Sequence, residues 1–276
     1  MESNKYEQLF RRLQESRRGT ASDVVRLQYN RGKRILDNQD KRRLARLYEG
    51  LLLYRKRSCS SSGRYYCGTD LVHKNNIFTV MEVESQLFHD IFEINRTFLK
   101  FGELVDLQDS YSFAKCFLTS DGLAGFAIEP TGNLVSVFSL YGDIKKGFLY
   151  AIKDYALSRG ATHCDCYDSF LQPLPVIYEK TLGFQEASRM AYNMAYDHDG
   201  IAERHNKPDV VFMVSGPEKV FRKSFSELQY DEAKAYQQTW ILKQSNAKQV
   251  LREKQAHARY LNGTFNNKVQ KKGPKR

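Results

Sequence analysis

The chain has 276 residues, 41% of them hydrophobic, with 17 Tyr, 17 Phe and a formal net charge of +11. That content excludes a chain disordered throughout and suffices for a sizeable core in one or two domains. No apolar run approaches the roughly 18 residues of a membrane span, and the opening "MESNKYEQLFRRLQ" is charged where a signal peptide is apolar; a cytoplasmic location is expected.

The charge is unevenly placed: residues 1–66 carry a net +10, 67–216 a net −8 and 217–276 a net +9. This predicts a basic helical N-terminal arm over 1–66, a folded centre over 67–216, and a basic helical C-terminal arm and tail over 217–276. Two basic arms suit a polyanion, most simply nucleic acid, whose phosphates attract Lys and Arg without sequence readout. Solvated helix faces, or arms packed back onto the acidic centre, are the alternatives.

In chain order, Tyr6, Leu9, Phe10 and Leu13 form an amphipathic stripe, and Leu44, Leu47, Tyr48, Leu51 and Leu52 form another. "RSCSSSGRYYCGTD" reads as a linker ending near Asp70. "MEVESQLFHDIFEINRTFLKFG" reads as a helix ending at Gly102. Three strands follow, "AKCFLT", "LAGFAIE" and "LVSVFSL", joined by the turn signals Asp121-Gly122 and Pro130–Asn133. "FLYAIKDYALSRGA" is a helix capped at Gly160, "THCDCYD" a strand, "LPVIYEKTLGF" a short helix and turn, and "QEASRMAYNMAY" and "DVVFMVS" are strands. A last helix is predicted from about Glu227 to Leu261, opened by Ser224-x-x-Glu227 and ended by Gly263.

Five cysteines without CxxC spacing argue against a disulfide framework. The alternation Cys164-x-Cys166 puts both thiols on one strand face, which reads as core packing, so no metal site is assigned.

The centre resembles the GNAT (Gcn5-related N-acetyltransferase) superfamily over about half of the chain. "RGATHCDCYDSFLQPLPVIYEKTLGF" carries the resemblance most strongly. "GFAIEPTGNLVSVFS" and "PDVVFMV" resemble the divergent GNAT-like domains of bacteriophages and mobile elements. The resemblance implies an α+β fold with a central mixed sheet that splays between the strand Val135–Leu140 and the strand of Cys164. It implies acetyl-CoA as acyl donor. Backbone groups around Val135, Val137, Phe138, Ser139 and Leu140 would hold the pantetheine. Gly142, Lys145, Lys146 and Gly147 would cradle the pyrophosphate. Tyr178 would be the general acid, with Glu129 and Asp165 (and Asp168) as candidate bases. The chain departs from the family pattern at the loop "YGDIKKGF", at Leu171 in place of Asn, and at the extra Thr181. Two functions are therefore carried forward. One is an acyl-CoA-dependent N-acyltransferase acting on a protein or nucleotide-linked amine. The other is a non-catalytic GNAT-fold structural, virion or nucleic-acid-associated protein of a phage, in the host cytoplasm or packaged among phage structural proteins.

Overall fold

The computed structural model describes residues 68–141, 146–197 and 200–270, with the side chains of residues 196, 253 and 256–270 set aside. The expected N-terminal helical arm and the extreme C-terminal tail lie outside the described residues, as do Gly142 and Lys145.

The described chain begins with a hairpin that the sequence pattern hides. Strands β1 (Thr69–His73) and β2 (Asn76–Val83) pair antiparallel, Asp70 facing Thr79. A linker was expected up to Asp70 and a helix from Met81; instead Met81 lies opposite Leu118 in a ladder. β2 contributes side chains to cores on both of its faces, while Ile77 and Glu82 stay exposed. Phe78 and Val80 enter one core cluster, Met81 and Val83 another. A strand covered on both sides reads as a continuous apolar run and loses the period-2 signal that marks half-buried strands.

Helix α1 (Ser85–Arg96) follows and lays Phe88 and Phe92 on the sheet, the Phe92 and Phe138 rings being 5.1 Å apart. It is shorter than expected: the chain leaves it at Thr97 and passes through a 3-10 turn at Gly102–Leu104. The predicted meander is present as β3 (Lys115–Thr119), β4 (Ala124–Ile128) and β5 (Leu134–Ser139). Both predicted turns use glycine at positive φ, Gly122 at 68° and Gly132 at 88°. The first sheet thus runs β1-β2-β3-β4-β5, antiparallel throughout.

Helix α2 (Phe148–Ser158) leads to β6 (His163–Ser169), the short β7 (Gln172–Pro173) and α3 (Leu174–Leu182). Then come β8 (Phe184–Met190), a short α4 (Ile201–His205), β9 (Asp209–Ser215), β10 (Lys223–Phe225) and α5 (Tyr230–Gln270). The second sheet has the order β10-β8-β9-β6-β7; β10 runs parallel to β8 and the other pairs are antiparallel. The molecule is therefore α+β, with two mostly antiparallel sheets flanked by helices, where a single mixed sheet was expected.

One core joins the sheets. Phe78, Phe117 and Phe126 of the first sheet cluster with Ile152 of α2, Tyr178 and Leu182 of α3, and Cys164, Phe184 and Met213 of the second. Cys164 and Cys166 are buried, on one strand face as the alternation requires. Each fully buried Phe contributes about 1.5–3 kcal/mol relative to exposure.

The opposite face of the second sheet is covered by α5. Its buried positions Ala233, Gln237, Trp240 and Gln244 recur at helical spacing. Gln237 donates Nε2 to the carbonyls of Cys164 (3.1 Å) and Met213 (3.0 Å), tying the helix to β6 and β9. Ser224 does not open a capping box; it lies in β10 opposite Arg189. Gly263 does not end the helix, which runs on to Gln270. An interior glycine costs only about 1 kcal/mol.

Gly125 shows how closely the first sheet is packed. A Cβ there would lie 2.6 Å from the Phe117 carbonyl oxygen and 2.9 Å from the Phe138 ring. Gly125→Ala is expected to lower stability by about 1–3 kcal/mol. Urea unfolding of the two proteins checks this, and an unchanged midpoint would refute it.

Candidate functional site

Among the described residues one isolated bridge links the ladders of the two sheets. Asn133, just before β5, forms an isolated parallel bridge with His163, the first residue of β6. Beyond it the strands part, and among the described residues the outer edge of β5 has no strand partner.

β5 is also bulged. Val135 faces Ala127 and Phe138 faces Gly125, so Ser136 and Val137 together oppose Phe126. Ser136 sits at φ 49°, a left-handed conformation unusual for a residue with a Cβ. Hydrogen bonds hold it there: Tyr111 Oη lies 2.6 Å from Ser136 Oγ, which donates to the Asp106 carbonyl at 3.0 Å. Backbone strain of this kind persists where surrounding contacts over-determine it.

Between the parted strands lies a cavity of about 830 Å³. Leu149 of α2, and Leu174, Ile177 and Tyr178 of α3, form part of its wall. Asp106, Glu129, Asp165, Tyr192, Tyr230 and Lys234 form another part. Along β6, Cys164 and Cys166 turn into the shared core with Tyr178 and Asp165 turns the other way, Asp165 and Cys166 both lining the cavity.

Tyr178 is only 8% exposed, and among the described residues its hydroxyl has no hydrogen-bond partner. Burial pushes its phenol well above the ordinary range, with Cys166, Cys164 and Asp165 adding to the rise. It therefore stays protonated at neutral pH. Asp165 opens onto the water of the cleft yet is walled by protein. Burial and then the Asp106 carboxylate raise its pKa; Lys234 and the Asn133 amide act against them. Glu129 is held by neutral amides, Gln108 donating at 3.0 Å and Asn133 at 3.2 Å. His163 is pushed down by burial.

The cavity thus brings together Tyr178, Glu129 and Asp165 with Val135, Val137, Phe138 and Ser139. Leu140 is not on its wall: it is buried in the shared core, its N–H bonded to the Leu123 carbonyl at 2.8 Å. Gly147 caps α2 at φ 99°, where a Cβ would strike the His73 ring at 2.3 Å, and the adjoining Lys146 carbonyl accepts from Asn76 at 2.8 Å. Asp168 is committed elsewhere, paired at 2.7 Å with Arg189, which Glu186 and Asp209 also hold.

The sequence reading missed Asp106, Gln108 and Lys234. The first two lie in an aperiodic stretch between α1 and β3, and Lys234 is one of many lysines; no pattern in the sequence marks any of them. It also missed a buried relay. The Ser169 hydroxyl lies 2.9 Å from His205 Nδ1, and His205 Nε2 lies 3.0 Å from Glu103, whose carboxyl is held below its usual value by backbone and His205 hydrogen bonds against the opposing effect of burial. Ser169 is fully buried, so this relay fastens the segment around Glu103 to the second sheet rather than presenting a nucleophile.

No protein-family model, no curated protein and no solved structure matches this chain.

An acid whose folded pKa lies above its unfolded value binds its proton more tightly in the native state. Stability is then lost as pH rises through the window between the two values. Asp165→Asn should therefore be more stable than wild type at pH 7.5, with the advantage fading as pH falls toward the ordinary aspartate value. Urea midpoints across that range measure this; equal or lower stability of the variant at pH 7.5 would refute it.

Proposed function

We propose that the protein is an acyl-coenzyme A-dependent N-acyltransferase of the GNAT type. The observation that carries this reading is the bulged edge of β5, without a strand partner among the described residues, lining one cavity with Tyr178, Glu129 and Asp165. An extended chain such as pantetheine binds by adding to an open strand edge, through main-chain hydrogen bonds. Gly147 opens α2, and the dipole at a helix N-terminus favours an anion such as a pyrophosphate.

The chemistry assigned to these residues is proton management. Acetyl-CoA supplies the acyl thioester. As an acceptor amine attacks the thioester carbonyl, Asp165 or Glu129 takes the amine proton, directly or through water. When the C–S bond breaks, Tyr178 gives its phenolic proton to the leaving thiolate. Burial and the Asp106 carboxylate raise the Asp165 pKa, which suits a base.

One observation favours a second reading. Burial makes the Tyr178 phenol a reluctant acid. In that reading the fold is non-catalytic and serves as a structural or nucleic-acid-associated protein of a phage. Either way the basic C-terminal segment is a candidate polyanion contact: Lys243 lies 4.4 Å from the Trp240 ring centroid and Lys223 4.8 Å from that of Phe225.

Calorimetric titration with acetyl-CoA separates the two readings. Binding is expected, and Tyr178→Phe should then lower kcat by about 10²–10⁴-fold while leaving affinity nearly intact. No heat at millimolar ligand would sink the enzyme reading. Association with duplex DNA should weaken linearly on a log–log plot against salt and fall further when residues 217–276 are removed; binding that ignores salt would contradict the polyanion contact.

A further inference from the structure

We propose that the surface formed by the connection from β9 to β10 and the first half of α5 binds single-stranded nucleic acid, stacking a base on the Phe221 ring. This rests on the polyanion contact proposed for the C-terminal segment and deepens it, naming the strand form and the residue that recognises it. It is independent of the cleft and of the acyltransferase reading.

The stretch "KVFRKSF", residues 219–225, interleaves cations with rings. It lies along α5, Val220 packing with Trp240 and Phe225 with Ala233. Phe221 is 66% exposed, and its ring centroid lies 6.1 Å from that of Trp240. The backbone around it is fixed: the Val220 N–H donates to Gln185 Oε1 at 3.2 Å, and the Tyr236 hydroxyl donates to the Phe221 carbonyl at 2.8 Å. An exposed ring on a held backbone has little freedom left to lose when a ligand stacks on it.

The lysines beside these rings have no counter-ion. Lys243 Nζ lies 4.4 Å from the Trp240 ring centroid, and Lys223 Nζ lies 4.8 Å from that of Phe225 and 5.7 Å from that of Tyr236. Among the described residues Lys219, Lys223 and Lys243 form no ion pair, whereas Arg222 meets Glu186 at 3.8 Å. The exposed carboxylates of Glu218 and Glu227 lie just outside the two ends of the stretch. Uncompensated lysines next to an exposed ring suit a ligand that brings phosphates and a π-face together.

Trp240 adds an independent observation. It is 6% exposed, and its Nε1–H is buried without a hydrogen-bond partner among the described residues. Native proteins rarely leave a buried donor unpaired.

The interleaving of rings and charges selects among polyanions. A duplex keeps the faces of its bases in its own stack and offers Phe221 nothing to stack on. Insertion into an anionic membrane asks for a continuous apolar face, and Arg222, Lys223 and Ser224 separate Phe221 from Phe225. An acidic peptide would engage the lysines and leave the ring unused.

Trp240 is the chain's one tryptophan, so its fluorescence reports on this surface. The full-length protein is titrated with a short oligothymidylate, a duplex of equal length and phosphatidylserine vesicles. The oligothymidylate should change Trp240 emission. Phe221→Ala should weaken the oligothymidylate about tenfold and the duplex less than about twofold. Lys223→Gln should lower the single-strand salt slope by about 0.7. Phe113→Ala, another exposed phenylalanine, just before β3, should change neither affinity. Thermal melts verify that each variant folds; if Phe221→Ala does not, Lys223→Gln and the wild-type emission decide. Oligothymidylate binding that leaves Trp240 emission unchanged, or that is equally tight in Phe221→Ala, would overturn the proposal. So would an emission change with vesicles and none with oligothymidylate. Salt-dependent duplex binding with no effect of Phe221→Ala on either ligand would retire this inference and leave the polyanion contact standing; binding of neither nucleic acid would retire both.

Discussion

The acyltransferase reading proposed for this chain depends on one edge of β5 that has no strand partner among the described residues. A strand with an unpaired edge is ordinarily a liability, because its free N–H and C=O groups invite another strand. Here β6 lies alongside and could have closed it. The ladder instead stops after the Asn133–His163 bridge, and the extra residue at Ser136–Val137 bends the strand out of register. The Tyr111–Ser136–Asp106 chain of hydrogen bonds holds that bend. The bend is thus held by the Tyr111 and Ser136 side chains and the Asp106 carbonyl, which is what distinguishes a built bulge from a frayed strand.

The common core explains why the parted sheets stay together. Aromatic and aliphatic groups from both sheets, α2 and α3 form one cluster, and α5 fixes the second sheet from its other face through Gln237. The sheets separate only where β5 and β6 diverge. In that region neighbouring protein raises the pKa values of Asp165 and Tyr178. In the proposed reaction Tyr178 and Asp165, which line one cavity, would be the acid and the base.

Much of this was legible before the structure. The meander and its turns followed from Asp121-Gly122 and Pro130–Asn133, because glycine at positive φ is a strong local requirement. Tyr178, Glu129 and Asp165, chosen by resemblance and by residue type, line one cavity. What failed to show was long-range. The β1–β2 hairpin was hidden because burial on both faces erased its alternation. Ser224 was taken for a cap because strand pairing to Arg189 leaves no local trace. Asp106 and Lys234 reach the cleft only through tertiary placement. Leu140 reads as part of the ligand edge because the pattern of β5 does not say that the chain turns into the core just after Ser139.

The open edge can be tested without any assay of turnover. Amide hydrogen exchange of the full-length protein with and without acetyl-CoA reads the backbone of β5 directly. If this edge receives the extended arm of the ligand, peptides spanning Val135–Ser139 should slow their exchange on addition of acetyl-CoA, while β1, at the far edge of the same sheet, should not. Saturating acetyl-CoA that leaves β5 exchange unchanged would contradict the account.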